Sequence, residues 1–165
     1  MAFLASKLSA ARAAAAVTLG AVAVVGCGGG ATGPDTMSML SSCATETRAM
    51  PYKPNLSVMS DSGAFTGVLV DSVPGPPIKG TNDWTVRILD ASGNPVPGLT
   101  ITALPKMPDH NHPPSVVPVV TDKGDGVYDL APVYLFMAGY WTVILTIQPA
   151  SGPLDNVTFP VCIPS

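Results

Sequence analysis

From residue 55 onward apolar and polar residues alternate with a period of two, in short runs separated by Gly, Pro, Asn and Asp, and no segment sustains a helical period. Successive side chains of an extended strand point to opposite sides, so this alternation predicts strands with one buried face. Seven runs qualify, at residues 64–72, 83–90, 99–104, 116–121, 127–132, 140–148 and 156–163. Trp84, Val86 and Ile88 share one side, as do Leu99, Ile101 and Ala103; Trp141, Val143, Leu145 and Ile147; and Val157, Phe159, Val161 and Ile163. These stripes predict the core of an all-β sandwich of about seven strands. Each tryptophan continues an inward stripe, so both are read as core packing rather than as binding platforms.

Turn chemistry supports the same division. Asp90-Ala91-Ser92-Gly93-Asn94-Pro95 and Asp122-Lys123-Gly124-Asp125-Gly126 carry residues that tolerate tight or left-handed conformations. The aspartates of the second turn do not make an EF-hand, which needs further oxygen ligands at set spacing and a terminal Glu. Gly126-Val127-Tyr128 resembles a corner of immunoglobulin-like domains where a tyrosine packs, and its reading is structural.

The start of the chain follows other rules. Lys7 and Arg12 precede an apolar run at residues 13–25 that ends in Val24-Val25-Gly26-Cys27. About 13 residues are too few for a bilayer core that needs roughly 20, while the charged front and small-residue end fit a cleaved secretion signal at residues 1–26. Val-Val-Gly-Cys resembles the bacterial lipobox, which makes Cys27 the expected lipidation site and the lipid the expected link to a membrane. Gly28 rather than Asp follows it, which by resemblance to sorting patterns points to the outer membrane of the cell envelope. Residues 27–61 then read as a lipidated cysteine and flexible tether, and residues 62–165 as the folded domain.

Removing the signal takes away two of the eight basic residues, so six face eleven acidic ones and the net charge becomes −5. With no basic patch, nucleic acid is an unsuitable partner. Lipid on Cys27 leaves Cys43 and Cys162 as an even pair in an oxidising setting, which predicts a disulfide between them; two unpaired thiols are the alternative. Cys162 falls on the outward face of the last strand, where such a bridge can reach the tether.

Candidate chemistry is concentrated in residues 104–114, where prolines bracket both histidines of the protein and Met107. His110 and His112 share a side of an extended segment, and Met107 is close enough in sequence to join them. Two imidazoles and a soft thioether suit copper, Cu(I) above all. The alternative is a polar surface loop.

Four segments together resemble the YtkA-like domain: Gly93-Asn94-Pro95-Val96-Pro97-Gly98, the Met107-Pro108-Asp109-His110-Asn111-His112 segment after Lys106, Gly124-Asp125-Gly126-Val127-Tyr128, and Met137-Ala138-Gly139-Tyr140-Trp141. Their order and spacing agree, and Ala138 and Tyr140 depart from the pattern. The resemblance implies an immunoglobulin-like β-sandwich on an exported or membrane-attached bacterial protein, in some cases near copper handling. It adds Met137 to Met107, His110 and His112 as the implied metal ligands.

Two function classes follow: a copper-binding or copper-delivery module with a copper-handling or envelope protein partner, and a non-catalytic structural or protein-interaction module. An enzyme is not expected, since both histidines lie in one loop and no nucleophile motif of the Gly-x-Ser-x-Gly type is present.

Overall fold

A computed structural model describes residues 41–110 and 114–165. The expected signal peptide, Cys27 and His112 lie outside the described residues. Among the described residues eight strands make the fold: β1 (Leu56–Met59), β2 (Phe65–Val73), β3 (Gly80–Asp90), β4 (Thr100–Lys106), β5 (Val119–Gly124), β6 (Val127–Leu135), β7 (Gly139–Gln148) and β8 (Asp155–Ile163). One helical turn, α1 (Ser41–Ala44), precedes them. The strands form two antiparallel sheets, ordered β1-β2-β3-β6-β5 and β4-β7-β8. Without β1, the order is that of a constant-type immunoglobulin sandwich, four strands facing three.

The predicted stripes close on one another. Trp84, Val86 and Ile88 of β3, Trp141 to Ile147 of β7 and Val157 to Ile163 of β8 bury their alternate side chains, joined by Leu69, Tyr128 and Leu130. Trp84 meets Phe159 edge-on with ring centroids 6.1 Å apart, and Trp141 meets Phe136 at 5.2 Å, arrangements favoured by the ring quadrupoles. The Trp141 indole N–H donates to the Met137 carbonyl at 2.9 Å, while that of Trp84 has no partner among the described residues.

Tyr128 fixes the crossing between sheets. Its hydroxyl donates to the Val96 carbonyl at 2.9 Å and accepts from the Leu99 N–H at 3.0 Å, holding the β3–β4 connection. Gly126 is required beside it: its φ is +69°, and a Cβ there would stand 2.7 Å from the Val96 nitrogen. In the same region Asp122 accepts from the backbone N–H groups of Gly98 and Gly124, so its oxygens serve the turn.

The strand count and several boundaries differ from the sequence reading, for local reasons. The eighth strand, β1, lies within residues 27–61, where the sequence pattern predicts only a tether; it pairs with β2 from Leu56↔Leu69 to Met59↔Thr66, and Leu56 enters the core. Four residues with one buried side chain are too few to show a period. β3 begins three residues early because Asn82 is an inward polar residue: its amide accepts from the Ile78 N–H and donates to the carbonyls of Ile78, Gly80 and Val133. β6 continues past Pro132 to Leu135, the register slipping by one residue opposite Asn82 and Trp84, an irregularity that accommodates a proline inside a sheet. β5 lies three residues later than expected, since its side chains are mostly exposed and carry little periodic signal.

The segment between α1 and β1 runs along the free edge of β8. Cys43 and Cys162 form the expected disulfide, with Cα atoms 5.5 Å apart. The Met50 N–H donates to the Pro160 carbonyl at 3.0 Å, and farther on the Asp61 N–H donates to the Asn156 carbonyl at 2.9 Å. An otherwise open strand edge is thereby covered.

Candidate functional site

β4 pairs with β7 up to Lys106↔Thr142, and the chain leaves the sheet at Met107. Ile101, Ala103 and Pro105 are buried in alternation along β4, and Met107 continues that inward phase. It is only 3 % exposed and belongs to the core. A Cβ built on Gly139 would lie 3.1 Å from the Met107 methyl carbon, so the glycine, at φ +124°, makes room for the thioether. Pro108 and Asp109 then form a turn closed by the His110 N–H donating to the Met107 carbonyl at 3.1 Å. His110 sits half-buried on that turn.

Met137 approaches from the β6–β7 connection. Its side chain is partly buried against the core. Its carbonyl, as the acceptor of the Trp141 indole N–H, fixes the segment two residues before Gly139. The two sequence motifs therefore meet at one end of the sandwich, joined by the contact between Met107 and Gly139. Of the four expected metal ligands, Met107 and His110 share a turn, Met137 belongs to the adjoining segment, and His112 is outside the described residues. Among the described residues no three His, Cys, Asp or Glu side chains are grouped as a metal site.

Arg48 was not anticipated. Its Nη1 and Nη2 donate to the two carboxylate oxygens of Asp109 at 2.8 and 2.7 Å, while Nε and Nη2 reach Glu46 at 2.9 and 2.7 Å. The guanidinium carbon lies 4.1 Å from the centre of the Tyr140 ring. The Arg48 hydrogen bonds hold the Asp109 and Glu46 carboxyls below their ordinary range, and the same two partners keep the guanidinium firmly charged. Arg48 and Asp109 are about half exposed, so their ion pair alone stabilises little, while the Glu46 side chain is more covered. Tyr140 is here the platform for Arg48. Asp109 was visible inside the motif, but nothing in a Gly- and Ser-rich tether marks an arginine as its partner.

The arrangement offers an imidazole on a short turn, a partly buried thioether on the adjoining β6–β7 segment and a carboxylate already engaged by a cation. Imidazole and thioether are donors for soft and borderline metals. Met107 is the poorest match of the expected set, because its side chain fills the core. A family model described as YtkA-like matches residues 62–146, which contain both motifs and leave Arg48, the disulfide and β8 outside. No curated protein and no solved structure matches the chain.

Proposed function

The chain belongs to the YtkA-like family, matched over residues 62–146, and from that premise we propose that it is a non-catalytic, exported module of the bacterial cell envelope whose Met-His loop binds copper. His110, His112 and Met137 are the proposed ligands, and Met107 becomes the anchor that seats the loop in the core. The observation carrying this reading is the convergence of the two motifs at one end of the sandwich through the contact of Met107 with Gly139. When bound, copper would supply a transferable soft ion; the chain's own part is to hold imidazole and thioether donors on a braced turn. Lipid on Cys27 holds the module at the outer membrane in this proposal, since the lipobox-like Val24-Val25-Gly26-Cys27 follows a short apolar run.

Two measurements test it. Titration of the mature domain with Cu(I) against a competing chelator is expected to show binding that His110→Ala with His112→Ala abolishes and Met107→Leu retains. Uptake by the wild type no tighter than by the double variant would overturn the copper reading. Cys27→Ser is expected to move the protein from the membrane fraction to the soluble one, because acyl chains contribute about 0.8 kcal/mol per buried methylene. A variant that stays with the membrane after signal removal would refute the anchor.

One observation favours the second reading, a protein-interaction module. Val117 and Val119 are 60 % and 67 % exposed on the approach to β5, after the proline-rich loop. If copper is not bound, this apolar edge and the loop are the surface to examine for an envelope protein partner.

A further inference from the structure

The segment from Cys43 to Asn55 is a strap with two attachments of different kinds. Cys43 is tied covalently to Cys162, whereas Arg48 grips the loop through Asp109 and lies over Tyr140. Tyr140 is the register partner of Cys162, so both attachments act on the same place on β7 and β8. No residue from 43 to 55 is buried, and Leu56 is the first core side chain after them. Besides the disulfide, contacts of the strap include surface ion pairs, the Met50 to Pro160 hydrogen bond, the Asn55 N–H donating to the Val70 carbonyl at 3.3 Å, and Tyr52, which packs half-buried against the core with its hydroxyl 3.2 Å from Asp71 and from the Ser72 N–H. A stretch with so few buried contacts can open without unfolding the core.

The disulfide is reachable. Both cysteines are partly exposed, and together with Glu46, Met50 and Tyr52 they line a surface pocket of about 220 Å³. Exposed disulfides are the ones that exchange readily with thiols.

We propose that Cys43–Cys162 is a thiol–disulfide exchange site for a dithiol, and that its reduction releases the strap and with it the clamp on the Met107–His110 turn. A thiolate of the dithiol attacks one sulfur, the S–S bond breaks, and the other cysteine leaves as a thiolate that takes up a proton. The second thiol then attacks the mixed disulfide and releases the remaining cysteine. Two electrons and two protons pass to the protein, and the dithiol ends as a disulfide. Without the covalent tie, exposed ion pairs do not keep Arg48 on Asp109. The turn then loses its brace to the strap and keeps the hydrogen bond from the His110 N–H to the Met107 carbonyl. The inference holds whatever ligand the loop takes.

The test is hydrogen exchange on the folded protein treated with dithiothreitol. Cys43 and Cys162 are expected to become open to alkylation while the amides of β3 and β6 stay protected, and exchange at the His110 amide is expected to rise about tenfold. Arg48→Ala is expected to raise His110 exchange with the disulfide intact, which keeps the coupling testable where a Cys43→Ser, Cys162→Ser variant fails to fold. Reduction that proceeds only as the β3 and β6 amides also exchange would overturn the exchange site. His110 exchange unmoved by both reduction and Arg48→Ala would overturn the coupling.

Discussion

At Met107 two demands compete for one thioether. Its place beside Pro108 and the histidines suggests a ligand, but its phase continues the buried alternation of Ile101, Ala103 and Pro105, and the core takes it. A metal loop rooted this way gains a fixed base at the cost of one donor. Met107→Ala is expected to destabilise the domain by about 2–5 kcal/mol, and Met107→Leu by less than about 1.5, because leucine nearly restores the volume. Urea denaturation of both variants measures this; an alanine variant as stable as wild type would return Met107 to the ligand set. Tyr128 makes a second case at this scale. Tyr128→Phe leaves the Leu99 N–H without its acceptor, for an expected loss of about 1–3 kcal/mol in the same assay. The same midpoint in both proteins would mean that the corner is held by packing alone.

Among the elements, β1 and the strap change how the sandwich ends. β1 widens the four-stranded sheet beyond β2, and the strap before it covers the free edge of β8, so one stretch of chain serves both sheets. The disulfide spans 119 residues, and chain entropy for so long a loop allows stabilisation of about 4–5 kcal/mol at most. β1 contributes chiefly through Leu56, with Val58 partly buried against the core. Leu56→Ala is expected to cost about 2–5 kcal/mol, a value that a merely tethering segment would not produce; a fall below 0.5 kcal/mol in calorimetry or urea unfolding would rule out β1 as part of the core.

Across the whole molecule the carboxylates with resolved shifts lie below their ordinary values, and acid is the condition that tests them together. At Asp155 burial works to raise the value, but hydrogen bonds from Ser60, Ser62 and the backbone N–H groups of Ser62 and Asn156 outweigh it and hold the carboxyl low. A carboxyl depressed in the folded state contributes its full stability above its ordinary value of 3.8 and loses it as pH falls through the lower folded value. Urea midpoints are therefore expected to be level near pH 6 and to fall below about pH 4, with Asp155→Asn flattening that fall; an unchanged acid slope in the variant would show that Asp155 is not its source. Strand alternation, the two tryptophan stripes, the turn residues and the cysteine pairing were all legible in the sequence, since each depends on local period or on a simple count. β1, the proline-bearing extension of β6 and the inward Asn82 were not, because their partners lie on other strands and their own residues carry no period. The candidate site divides the same way. Its residue types were named by motif and family likeness, but the burial of Met107 and the grip of Arg48 on Asp109, 61 positions away, came only from folding. Sequence fixes which side chains alternate inward; which distant ones then meet depends on how two sheets and a strap close over one another.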